Sequence, residues 1–320
     1  MGAVMQIVES EIQHPARGPW ILAAAILGSS LAFIDGTVVN VALPFLQKEL
    51  NATAIGVQWV VESYALLLSA LLLVGGSLGD RYGRRRIFIT GTVIFALSSV
   101  ASGVSVNITQ LIVARAVQGV GAALLIPGSL AIISASFDEN NRGRAIGTWS
   151  GFSAITTAIG PVLGGWLVEH LTWRAAFFLN VPIATAVIVI SLWHVPESHE
   201  QHHRGSLDWI GAILATLGLG GLVYGLIESS RVGFTNSVVI ASLIAGVVML
   251  ALNLFNEARA SNPMMPLELF RSRNFTGANL LTLFLYAGLG GTFFFFALDL
   301  IQVQNYSATA AGAPHSPPAR

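Results

Sequence analysis

Nine runs of about 20 apolar residues, separated by short polar stretches, constrain this chain more than anything else in it. A run of that length crosses the hydrocarbon core of a bilayer once as an α-helix. In lipid, only helices and closed barrels satisfy every backbone donor and acceptor. The runs cover residues 20–44, 57–78, 87–106, 110–134, 145–168, 174–194, 208–228, 237–255 and 275–301. The chain is 54% hydrophobic and 10% charged, where soluble domains carry about 25% charged residues. Its mean hydropathy is +0.70. The expected fold class is an all-α membrane protein, a helical bundle of about nine transmembrane helices.

Polar loops are expected at 45–56, 79–86, 135–144, 195–207 and 256–274. Lys and Arg accumulate on the inner side of membrane proteins. With the N-terminus inside, eleven such residues lie on the inner side, against Lys48, Arg174 and Arg231 outside. The chain is therefore expected in the cell (inner) membrane, multi-pass, with a cytoplasmic N-terminus. Residues 1–19 form an inner tail without the apolar region of a cleaved signal peptide. A six-helix bundle (20–194), a linker (195–207), two further helices (208–255), an inner loop (256–274) and a last helix (275–301) follow, and 302–320 does not span.

Several classes are excluded or disfavoured. Without cysteine there is no disulfide, thiol chemistry or Cys-ligated metal. A net charge of zero suggests no nucleic-acid partner. Three histidines in 195–207 lack a second ligand cluster, so that stretch reads as a solvated linker and no metal is expected. No nucleophile–base pair is legible, which argues against an enzyme. Trp149, Trp166, Trp173 and Trp193 sit mostly near helix ends and read as interface anchors.

Charges inside the membrane are costly and mark pathways or buried pairs. Asp35, Glu62 and Arg115, with Asp299 less securely placed, are the candidates. At 1.5 Å per residue, Asp35 lies about 13 Å, and Glu62 and Arg115 each about 8 Å, below the outer ends of their helices. Two acids around one arginine make a site where a carboxylate gains or loses a proton. A static ion pair is the alternative. Gln118 shares the helix face of Arg115. The fifth run carries Gly147, Gly151, Gly160, Gly164 and Gly165, with Pro161 beside Gly160. A close-packing face and a bending span both fit that pattern.

Between the second and third runs lies Gly76-Ser77-Leu78-Gly79-Asp80-Arg81-Tyr82-Gly83-Arg84-Arg85-Arg86. Its glycines permit a tight turn, and Asp80 is expected among N–H donors and guanidinium groups. On composition alone it is a basic loop. Its spacing resembles the loop signature of the major facilitator superfamily. Leu111–Ala123, with Arg115, Gln118, Gly119 and Gly121, resembles the fourth-span motif. Gly151 with Gly160-Pro161-Val-Leu-Gly164-Gly165 resembles the fifth-span antiporter motif. Leu31–Pro44, Trp173–Pro182 and Asn305–Ala308 are similar to the fourteen-span drug:proton antiporter branch.

The resemblance implies proton-coupled efflux of drugs or other small organic molecules by alternating access, powered by a proton gradient without a cofactor. Arg115 and Asp35 would then serve proton coupling or the substrate pathway, beside Gln118. Gly151, Gly160, Pro161, Gly164 and Gly165 would form the bending motif. Gly76, Asp80, Arg81, Gly83 and Arg84 would form a conformational latch between two bundles. Glu62 departs from the small polar residue of the family pattern. A periplasmic adaptor is not readable. Fourteen spans against nine imply a C-terminal truncation, by frameshift, premature stop or gene-model error. The alternative is a non-transporting fragment or half-size interaction subunit.

Overall fold

The computed structural model describes residues 17–198, 208–260, 263, 265 and 267–299; the remaining N-terminal, linker and C-terminal residues, with the readings made on them, lie outside the described set. The apolar runs fold into α1 (Gly18–Glu49), α2 (Ala54–Tyr82), α3 (Arg84–Gly103), α4 (Ile108–Ser136), α5 (Glu139–His170), α6 (Trp173–Phe178), α7 (Asn180–His194), α8 (Trp209–Val232), α9 (Ser237–Arg259) and α10 (Arg273–Leu298). A short 3₁₀ turn, Leu267–Arg271, precedes α10. Among the described residues there is no strand. Among the described residues, eight segments are long and apolar enough to cross a membrane, α6 and α7 together making the sixth. The chain is a multi-pass membrane protein.

Helix starts are set by polar caps. Side chains of Thr53, Asn107, Asp138, Thr172, Asp208 and Asn236 each accept from a backbone N–H in the following first turn. The helices outrun the expected spans. α1 continues to Glu49, α5 begins at Glu139, and the expected loop 79–86 shrinks to Gly83 alone. Apolar length marks only the part of a helix in hydrocarbon, whereas the helix runs on until a cap or turn stops it.

α4 packs along both α2 and α3, while α1 packs against α5, α7 and α4. Small residues allow these close approaches, as expected where lipid tails remove the hydrophobic drive between helices. A Cβ on Gly121 of α4 would lie 2.6 Å from the backbone nitrogen of Phe95 on α3. Leu31, Tyr64, Phe88, Phe95, Leu125 and Val187 interlock at the centre. A clasp closes the end opposite the arginine-rich turn: Glu49 accepts from the Trp173 indole at 2.7 Å and pairs with Arg174. Trp173 is therefore buried inside the bundle instead of anchoring at its edge. The α8–α9 hairpin leans on α2 through Trp59 and Tyr224, whose ring centroids lie 6.2 Å apart.

Candidate functional site

The centre of the bundle holds one polar cluster. Asp35 of α1 lies a little over halfway along its helix, and Arg115 and Gln118, three residues apart, share one face of α4. Arg115 Nη1 donates to Asp35 Oδ2 at 2.5 Å and to Gln118 Oε1 at 2.8 Å. Gln118 Nε2 donates to Asp35 Oδ1 at 2.8 Å. Arg115 Nε reaches the Val60 carbonyl at 3.2 Å, and its guanidinium lies 4.2 Å from the Tyr64 ring centroid. Asp35 and Arg115 are each 1% exposed. Removing two charges from water costs several kcal/mol per ion, so the pair persists only because these added hydrogen bonds complete it.

Glu62 does not join them. It is half-buried and makes no hydrogen bond or ion pair among the described residues. On α2 the side facing Arg115 is marked by Val60 and Tyr64, and Glu62 lies about 200° around the helix from Val60. The expected arrangement of two acids about one arginine is thus corrected to one acid, two amides and one arginine. The second amide is Asn180, which lies within the Trp173–Pro182 stretch and has no site role in the sequence analysis. Its Nδ2 donates to Asp35 Oδ1 and to Ser99 Oγ, both at 2.9 Å. An asparagine in an apolar run just before Pro182 was the available signal.

The fifth-span glycines divide into two groups. Gly160 and Gly164 are buried against the α1 turn that carries Asp35. A Cβ on Gly160 would collide with Thr37, and one on Gly164 would lie 3.0 Å from Val38 Cα. Gly165 is buried as well. Gly147 and Gly151 have open space where a Cβ would go. α5 remains one continuous helix through Pro161.

At the arginine-rich turn, Gly83 adopts φ +111°, a conformation that side chains disfavour, and so reverses the chain between α2 and α3. Asp80 accepts from Arg84 Nε at 2.9 Å and pairs with its Nη2 at 2.8 Å. The backbone donors expected for Asp80 are taken elsewhere. Arg85 N donates to Glu197 Oε1 at 3.1 Å and Arg84 N to the Ser198 carbonyl at 2.9 Å. Both amides are thus capped by the chain leaving α7. Arg81 lies over the Tyr82 ring. Gly76 has only ordinary contact with Pro127, whereas its neighbour Gly75 meets the α4 backbone at Ala123.

Comparison with known proteins decides the family. Residues 25–318 match the sequence profile of the Major Facilitator Superfamily. The chain belongs to that superfamily. Its relatives include the tetracenomycin C resistance and export protein of Streptomyces glaucescens, 36% identical over 89% of this chain and 54% of that protein. The methylenomycin A resistance protein of Bacillus subtilis is 35% identical, over 93% and 64%. A puromycin resistance protein of Streptomyces alboniger is 34% identical, over 93% and 59%. The chain spans about half the length of the curated relatives it matches. A crystal structure of the POT family transporter PepTSo shares the superfamily fold, with TM-score 0.59 and 16% identity over 94% of this chain and 66% of that one. As a major facilitator superfamily chain, it carries its only fully buried acid–arginine pair among the described residues at the α1–α4 contact.

Proposed function

We propose that this chain is the N-terminal part of a proton-coupled exporter of small organic molecules, working by alternating access in the cell membrane with its N-terminus in the cytoplasm. The observation that carries the reading is the Asp35–Arg115–Gln118 cluster, charged groups buried where α1 meets α4. Protonation of Asp35 removes half of the ion pair and releases Arg115 from one of its bonds, so proton occupancy changes how α1 is held to α4. Gly160 and Gly164 let α5 lie directly on the Asp35 turn of α1, which supports transmission of that change along α5. Asp80 and Arg84 are the latch pair at the arginine-rich end. The names of the resistance and export relatives support small organic molecules as cargo, and the proton gradient is the energy source, with no cofactor invoked.

The test is ethidium efflux from energised cells lacking their own exporters and producing this chain. Protonophore-sensitive efflux that disappears in Asp35→Asn supports the reading. Retention equal to that of cells without the chain favours the alternative, a non-transporting fragment or half-size interaction subunit.

A further inference from the structure

Asn180 is fully buried, and half of its side chain is unexplained by the cluster described above. Its amino group serves Asp35 and Ser99, but its Oδ1 has no hydrogen-bond partner among the described residues. A buried carbonyl without a donor is unfavourable and calls for a reason. The reason lies in what surrounds Asp35. Arg115, Gln118 and Asn180 all present donors to it, the pattern an ionised carboxylate accepts.

A neutral carboxyl has the opposite need: its O–H requires an acceptor. Arg115 has none to offer. Gln118 has one, but Gln118 Oε1 is held by Arg115 at 2.8 Å, and turning that amide would break a charge-assisted bond. Asn180 Oδ1 is the uncommitted acceptor on a side chain already touching Asp35. Rotating its carboxamide by about 180° exchanges oxygen and nitrogen with almost no change of shape. Ser99, which now donates to the Phe177 carbonyl at 2.8 Å, can turn its hydrogen to the new oxygen.

Among the described residues, no other charged side chain hydrogen-bonds or pairs with Asp35 or Arg115. Asp35 comes from α1, Arg115 from α4 and the Tyr64 ring from α2, while α3 contributes Ser99 and α6–α7 contribute Phe177 and Asn180.

We propose that Asn180 is a positioning residue that follows the charge of Asp35, turning its amino group to the carboxylate and its carbonyl to the protonated carboxyl. A hydronium ion passes its proton to Asp35 Oδ1: one O–H bond of the hydronium breaks, one O–H bond forms on the carboxyl, and a water molecule is released. The sixth segment breaks at Leu179, between Phe178 and Asn180. The rearrangement of Asn180 and Ser99 therefore acts on both sides of that break, at Phe177 and at the first residue of α7. The proposal rests on the reading above, in which Asp35 exchanges a proton.

Acid-minus-alkaline infrared difference spectra of the purified full chain test it. The wild type should show a protonated carboxyl band that is absent in Asp35→Asn. In Asn180→Leu that band should move to higher wavenumber, because the carboxyl has lost its acceptor. Asn180→Ser, which keeps a small polar group, should give a smaller displacement. All variants must retain wild-type helical circular dichroism, and the serine variant serves if the leucine variant does not fold. An unchanged band in a folded Asn180 variant overturns the role of Asn180 and leaves the Asp35 reading standing. Absence of any Asp35-dependent band in the wild type overturns both.

Discussion

At the scale of single residues, the proposed function rests on polar side chains that bond to one another away from water. Arg115 bonds to Asp35, Gln118 and Val60 at once through a planar fork, and its flat face lies over Tyr64. Lysine has neither the fork nor the flat face. Arg115→Lys should lower the thermal midpoint of the purified chain and abolish protonophore-sensitive efflux, even though the charge is kept; wild-type behaviour in both assays would mean that charge alone matters. Gly83 is a second residue with a single reason for its identity. Alanine there meets a disfavoured backbone conformation, of order 1 kcal/mol, and a Cβ 2.6 Å from Glu197 Oε1. Gly83→Ala should therefore destabilise the turn by more than backbone strain alone, read by hydrogen exchange at Arg84 and Arg85. Asp35, Arg115 and Gln118 were legible because charged and amide residues stand out in apolar runs. The exclusion of Glu62 was not legible, since a lone acid in a run does not reveal which face of α2 meets α4. Asn180 was visible as a letter but carries no charge, and its importance comes from what α1 and α3 bring to it.

Elements follow from run length and caps, and their contacts follow from small residues. The apolar runs located the helices, but the polar continuations at Glu49, Tyr82 and Glu139 escaped a criterion blind to helix outside hydrocarbon. The glycines of α5 looked alike in sequence, all at small-residue spacing. Only packing separates Gly164, pressed on Val38, from Gly151, with open space beside it. Gly164→Leu should force α5 from α1 and lower the thermal midpoint by several degrees, whereas Gly151→Leu should leave it within error; equal effects would mean the two share one packing role. The N-terminal end of α3 makes a similar case. Glu197 takes the Arg85 amide and lies 3.8 Å from Arg85 Nε and 3.6 Å from Arg86 Nε. Its loss in Glu197→Ala is a lost helix cap, about 1 kcal/mol. The cost should shrink in high salt as the arginine attractions are screened, and unfolding at two salt concentrations checks it.

For the whole molecule, the decisive issue is whether the buried pair holds helices together or carries a proton between them. The first six membrane segments converge on it: α1 and α4 provide the charges, α2 and α3 the Tyr64 and Ser99 contacts, α5 the glycine face behind Asp35, and α7 the Asn180 amide. The α8–α9 hairpin packs against α2, and none of its described residues bonds to the cluster. A static pair and a titrating pair differ in one respect. Removing one partner from either leaves an uncompensated buried charge, costing about 3–5 kcal/mol, and removing both relieves that cost. Only a titrating pair loses a function that neutral substitutes cannot restore. The most direct measurement is therefore protonophore-sensitive ethidium efflux by the double variant Asp35→Asn/Arg115→Gln, made once its thermal midpoint is seen to recover above that of Arg115→Gln. The expected result is a stable chain with no proton-driven efflux. Efflux at the wild-type level, still collapsed by the protonophore, would contradict the assignment of proton coupling to Asp35 and Arg115.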